Sequence, residues 1–298
     1  MSGFDAALRT LRAAFLVFCF VAMTLLLIPV QWLAVKLRAP AARAIPLIYH
    51  RALCRLIGIR MTARGVPEEV RPVLMVANHT SWLDIPILSA QARLSFIAKN
   101  EVNDWPFFGL LAQLQRTVFI ARGKRSDTQK QRDEILGRLG NGDTLVLFPE
   151  GTSSDGNRVL TFNSALFSVA EGELRTSGGK MRPVTVQPVS IAYTRLHGLP
   201  LGRRLRPLFA WYGDMSLVPH LWEAFGAGPL DVQIQFHPPV SIRSFASRKA
   251  LARHCESVIA DSMTLALAGR PDQAGPGHRP METAEDEREE RIAPAGIV

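Results

Sequence analysis

The chain has 298 residues, 47% of them apolar and 20% charged, with ordinary glycine (22) and proline (20) contents. These values exclude a disordered, collagen-like or low-complexity chain and leave room for one large domain or two small ones. Lysine and arginine (35) outnumber aspartate and glutamate (26), a formal charge of +9, which favours an anionic partner: nucleic acid, a lipid head-group surface or an acidic substrate.

From Ala13 to Val35 no residue carries a formal charge, and the run is long enough to cross the hydrocarbon core of a bilayer. Trp32 stands where an interfacial anchor would, and no small-x-small site suggests a cleaved signal. A membrane anchor is expected, spanning or only inserted. Arg9 and Arg12 precede the run and Lys36, Arg38 and Arg43 follow it, a balance that leans toward a body on the cytoplasmic side of an inner membrane. Ala44 to Met61 intersperses Arg51, Arg55 and Arg60 with apolar residues. That pattern predicts a basic amphipathic helix, lying in the lipid interface or packed on the body.

Between residues 62 and 268 short β-branched runs (Val73–Ala77, Leu94–Ala98, Thr117–Ile120, Thr144–Phe148, Val184–Tyr193, Val232–Phe236) alternate with helical spacing (Ser81–Ala90, Trp105–Leu114, Ser126–Leu139, Ser164–Leu174, Arg248–Leu267). The alternation predicts an α/β fold: a largely parallel central sheet flanked by helices, with functional loops at the strands' carboxyl ends. The polar stretch Arg175–Arg182 reads as a surface loop. From Gly269 onward almost nothing is apolar, and a disordered tail is expected. The expected organisation is therefore 1–61 anchor and amphipathic helix, 62–268 a single body, and 269–298 tail.

Four strand ends carry candidate chemistry. Asn78-His79-Thr80-Ser81-Trp82-Leu83-Asp84 follows VLMVA, and a histidine with an aspartate five residues on can form a base and its orienter. The plain alternative is a hydrogen-bonded loop histidine and an aspartate at a helix N-terminus. Ser81 lacks the GxSxG setting of a nucleophile. Phe148-Pro149-Glu150-Gly151-Thr152 follows TLVLF and suits an approach to an oxyanion or phosphate, or else a simple turn. Arg122 after TVFIA and Lys99 at the end of LSFIAK are placed to hold an anion, or to be solvated. GxGxxG, GxxxxGK[ST] and HExxH are all missing, and the three cysteines form no CxxC. No cofactor, metal or nucleic-acid partner is expected.

In chain order HTSWLD, FIAK, PFFG, TVFIARG, FPEGTSSDG and VTVQPVSI closely resemble the glycerolipid acyltransferase family over roughly residues 60–240. The resemblance implies a membrane-associated O-acyltransferase that passes a fatty acyl group from acyl carrier protein or acyl-CoA to a lysolipid hydroxyl. By resemblance His79 is the general base and Asp84 its orienter, while Arg122, Glu150, Gly151, Thr152 and Lys99 bind substrate. The first expectation for the acceptor is 1-acylglycerol-3-phosphate, giving phosphatidic acid. Two departures, Ala121 where the family commonly has an acid and Phe162-Asn163-Ser164-Ala165 where it often has Phe-Lys-x-Gly, weaken a phosphate-bearing acceptor. SSDGNRVLTFNSALF and Ala210–Leu221 resemble the branch that acylates lyso-ornithine lipid, which is the alternative. A membrane-tethered lipid-binding protein without turnover is the more distant one.

Overall fold

Val73–Ala77 has no polar side to offer solvent, and in the computed structural model it is a strand buried at every position, in the middle of the sheet. The structure describes residues 3–120, 125–175, 179 and 181–270. Its strands are β1 (Ile59–Arg64), β2 (Val73–Ala77), β3 (Ser95–Lys99), β4 (Val118–Ile120), β5 (Thr144–Leu147), β6 (Glu173–Arg175), β7 (Met181–Pro183), β8 (Thr185–Leu196), β9 (Leu199–Pro200), β10 (Leu230–Phe236) and β11 (Val240–Ser241). Its helices are α1 (Gly3–Lys36), α2 (Ala41–Ile57), α3 (Asp84–Ser89), α4 (Phe108–Leu114), α5 (Arg125–Gly140), α6 (Leu217–Ala227) and α7 (Arg248–Leu267).

The main sheet runs β1-β10-β8-β2-β5-β3-β4, with β9 and β11 paired to β8. Strands β8, β2, β5, β3 and β4 are mutually parallel, and β10 with β1 runs the other way. Parallel strands are buried on both faces, and alternate residues of β2 and β5 feed two cores. Met75 and Val146 face Phe20 of α1, Leu53 of α2, Ile87 of α3 and Phe225 of α6. Leu74 and Leu145 face Leu139 of α5 and Leu251 and Ile259 of α7. The expected α/β class with helices on both sides is the observed one.

Helix α1 docks by one stripe, Ala13, Leu16, Phe20, Thr24, Gln31 and Ala34, spaced mostly three or four residues apart as one helix face requires. Arg12 donates to the carbonyls of Phe225 and Ile57, at the C-terminal ends of α6 and α2, where a cation is favoured. The opposite face leaves Leu11, Phe15, Phe18, Leu25, Leu26 and Leu33 exposed. Asp5–Lys36, which contains an 18-residue stretch of mean hydropathy 2.7, is long and apolar enough to cross a membrane by length and composition.

Some elements depart from expectation. The helix expected through Met61 stops at Ile57, because Gly58 takes a left-handed φ of 84° and returns its N–H to Arg55 and Cys54; a strand follows. Strand β1 thus straddles the expected 61–62 boundary. The stretch 164–171 is a 3-10 helix, and the expected loop 175–182 is flanked by the β6–β7 hairpin. Helix α6, hidden behind Pro219, was not anticipated. Of the expected tail, residues 271–298 lie outside the described residues.

At the opposite end of the strands from the motif loops, Asp143 ties three elements together. Its carboxylate meets Arg43 of α2 at 2.9 Å, Arg116 ahead of β4 at 2.8 Å and Arg138 of α5 at 2.5 Å. Removing it in Asp143→Ala leaves three guanidinium groups facing one another. We expect a loss of about 2–4 kcal/mol, partial exposure of the arginines tempering the cost of a broken buried pair, read from the urea unfolding midpoint in neutral detergent.

Candidate active site

The loop after β2 is shaped by one carboxylate. Asp84 is fully buried at the start of α3. Its Oδ2 accepts the backbone N–H groups of Thr80 (2.7 Å) and Ser81 (2.9 Å) and the Nδ1–H of His79 (2.8 Å). Its Oδ1 accepts the Tyr193 hydroxyl at 2.7 Å. The helix expected from Ser81 therefore begins only at Asp84, since the aspartate draws residues 80 and 81 into a turn around itself. With Nδ1 committed, Nε2 is the ring nitrogen left for a substrate proton, and the His79 side chain is 19% exposed. Its imidazole stacks on Phe148 at 4.2 Å between centroids, and Phe148 stacks in turn on Phe96.

Glu150 sits at the end of the neighbouring strand β5 and joins the two loops. Its Oε1 accepts the His79 N–H (2.7 Å) and its Oε2 the Leu160 N–H (2.8 Å). The Ser154 N–H donates to the His79 carbonyl at 2.9 Å. Each Glu150 oxygen thus holds one backbone donor, a scaffolding role beside the substrate-binding one expected from the sequence. Gly151 turns the chain at φ 67°, in the left-handed region, with open space where a side chain would stand, and Thr152 is exposed beside it. Lys99 is half-buried at the carboxyl end of β3, the same edge of the sheet. Arg122 lies outside the described residues.

Tyr193 was missed by sequence reasoning. It sits in β8, 109 residues from Asp84, in a run that reads only as a strand. Burial first, then the Asp84 charge, raises its pKa well above the ordinary value, so it stays a donor. Ser81 is fully buried, which removes it as a nucleophile. Among the described residues no cluster of histidine, cysteine and carboxylates could hold a metal.

A second segment closes over the motif. The Trp211 N–H donates to the Thr80 carbonyl at 2.9 Å, Ser153 Oγ donates to the Trp211 carbonyl, and Trp82 Nε1–H donates to His220 Nδ1 at 2.9 Å. Beside Trp82 an apolar cavity of about 240 Å³ is walled by Phe20, Ile85, Phe96, Trp105 and Phe108, drawn from α1, α3, β3 and α4 with their flanks. The arrangement offers an oriented imidazole, linked through the Phe148 ring to Phe96 in the wall of a lipid-compatible space, which suits deprotonation of a hydroxyl in acyl transfer.

A family model described as Acyltransferase matches residues 59–192. The lyso-ornithine lipid O-acyltransferase of Brucella abortus (strain 2308) is 48% identical over 261 residues, covering 88% of this chain and 97% of that protein. The chain belongs to the acyltransferase family. The acyltransferase is also similar to the 1-acyl-sn-glycerol-3-phosphate acyltransferase of Neisseria gonorrhoeae, 33% identical over 230 residues, 76% of this chain and 84% of that one. The crystal structure of the 1-acyl-sn-glycerophosphate (LPA) acyltransferase from Thermotoga maritima shares its fold, with a TM-score of 0.60 at 23% identity, covering 91% of this chain and 100% of that one.

Burial lifts the Glu150 pKa from 4.5 to about 8; the His79 and Leu160 N–H groups oppose the rise and the Asp84 and Glu256 charges add to it. The fold favours the neutral acid, so stability from this group is full below about pH 4.5 and is lost as pH rises through about 8. In Glu150→Gln, which cannot ionise, Tm should fall less steeply than in the native acyltransferase across that window in thermal scans. Tyr193→Phe leaves one Asp84 oxygen without its donor and should cost about 1.5–3 kcal/mol in urea unfolding.

Proposed function

We propose that this acyltransferase moves a fatty acyl group from acyl carrier protein or acyl-CoA to the hydroxyl of lyso-ornithine lipid. The observation that carries the acceptor is the docking of 210–221 on HTSWLD through Thr80 and the Trp82–His220 bond, and on the FPEGTSS loop through Ser153, because that segment carries the likeness to the lyso-ornithine branch. The 48% identity to the Brucella abortus protein against 33% to the Neisseria gonorrhoeae one points the same way. The glycerol-phosphate acceptor expected first from the sequence gives way to this alternative. Asn163, standing where a lysine is common, spends its side chain on the Ala165 N–H at the start of the 3-10 helix.

In the proposed reaction His79 Nε2 takes the proton of the acceptor hydroxyl as the oxygen attacks the acyl thioester carbon. Asp84 holds the tautomer and stabilises the imidazolium that forms. The tetrahedral intermediate collapses, the C–S bond breaks, and the imidazolium returns its proton to the departing thiolate. The apolar cavity beside Trp82 takes the acyl chain, and Lys99, Gly151, Thr152 and Arg122 serve substrate binding. The lipid-facing side of α1 rests in the cytoplasmic leaflet of the inner membrane, where a water-insoluble acceptor is found. Residues 62–268, together with the start of β1 from Ile59, form the catalytic body.

Purified protein, a labelled acyl donor, and lyso-ornithine lipid beside lysophosphatidic acid test the reading. Product on lyso-ornithine lipid is expected; product on lysophosphatidic acid alone would reverse the acceptor, and none on either would favour a non-catalytic lipid-binding protein. His79→Ala should lose about 10²-fold or more in kcat/KM, and native rates in that variant would sink its role as base.

A further inference from the structure

The candidate catalytic residues follow the carboxyl ends of the parallel strands. A separate group gathers where those strands begin, the length of a five-residue strand away, about 16 Å at roughly 3.3 Å per residue. There a pocket of about 170 Å³ is bounded by Arg43 of α2, by Arg71 ahead of β2, by Arg93 and Ser95 at the start of β3, by Arg116, and by Asp143 and Thr144 at the start of β5. Its volume is several times the roughly 30 Å³ of a water molecule.

The charge there is one-sided. Four lining arginines face a single lining carboxylate, a formal excess of three positive charges, and Arg138 on the same carboxylate adds another. Burial would raise the Asp143 pKa, but Arg138 and Arg116 more than offset it and hold it below the usual range, so the carboxylate stays ionised and fully engaged. Glu68 and Glu69, the acids nearest Arg71, line the larger cavity next door, and Glu68 Oε1 is spent on the Val70 N–H. A second observation is independent of charge. Thr144 belongs to the wall shared by both spaces, and its Oγ1, buried just behind that wall, has no hydrogen-bond partner, although a buried hydroxyl normally finds one.

We propose that this pocket is a second, non-catalytic site for a phosphate-bearing anion, held by Arg43, Arg93 and Arg116 with the Thr144 hydroxyl as an added donor. Guanidinium groups around a recess match phosphate oxygens, and the ligand supplies the negative charge and the acceptor that the protein lacks there. The first turns of α2 make one wall, immediately after the α1–α2 turn, where Leu37 is exposed and Lys36 lies over the Trp32 ring. A lipid headgroup phosphate is therefore within reach of the same chemistry that would hold free phosphate.

The test uses the full chain in neutral detergent and reads binding, so it stands whatever acceptor the enzyme acylates. Inorganic phosphate should raise the Tm of the native chain and of Arg253→Gln, an exposed control on α7, by about 2–4 °C over chloride at matched ionic strength. Thr144→Val and Arg93→Gln, which leave the Asp143 clamp intact, should lose most of that rise. Equal rises in all four proteins, or none in any, would overturn the site. If Thr144→Val does not fold, Arg93→Gln decides. Co-flotation with phosphatidylcholine vesicles, with and without phosphatidylglycerol, identifies the source. A loss on the anionic vesicles confined to Arg93→Gln and Thr144→Val makes the ligand a lipid headgroup; no such difference, with the phosphate effect intact, makes it soluble phosphate.

Discussion

A negative charge kept out of water needs donors from every side, and Asp84 receives four. The cost of burying a carboxylate is several kcal/mol even after relaxation, and charge-assisted hydrogen bonds of this number can meet it. Meeting it dictates the local structure. The backbone of residues 80 and 81 must curl inward, α3 must begin at residue 84, and β8 must lie close enough for Tyr193 to reach across. The orientation of His79 follows from that arrangement, with the Phe148 ring stacked on the imidazole as a second support. Asn78 secures the same junction one residue earlier, bonding the backbone N–H and carbonyl of Ile191 on β8.

Around this point the molecule is layered. The sheet supplies rigid strand ends, α5 and α7 seal one face, and α1, α2, α3 and α6 seal the other. The second cover has two jobs at once, because the residues of α1 that close the core alternate with the residues that remain apolar and exposed. A helix that were merely a tether would not carry Arg12 bonded to the ends of two other helices. The apolar cavity exists because α1, α2 and α4 stand off the sheet, with Gln31 bridging the Ala42 and Leu114 carbonyls at its edge.

Much of this could be read from residue order alone. The buried strands stand out as short β-branched runs, and the motif loops sit directly after them, so the α/β class needed only local pattern, whereas the pairing of His79 with Asp84 stayed one of two open readings until the family resemblance was added. What stayed hidden depends on distant partners. Tyr193 looks like any strand aromatic until the sheet sets β8 beside β2. That Glu150 also holds two backbone donors, one of them from the neighbouring motif loop, shows only once the loops after β2 and β5 are side by side. Strand β1 was masked because its alternation continues the apolar-basic pattern of α2, with only Gly58 marking the break. The 3-10 segment at 164–171 has helical spacing, and its geometry is decided by packing of Phe167 and by the Asn163 cap.

The row of rings Phe96, Phe148 and His79 has a consequence for how such an enzyme can change. Phe96 belongs to the cavity wall, and Phe148 lies flat against both it and the imidazole. If the cavity takes the acyl tail as proposed, a change at Phe96 that admits a longer or bulkier tail also removes a neighbour of the ring stacked on the base. Tail preference and turnover would then be geared together through one aromatic contact.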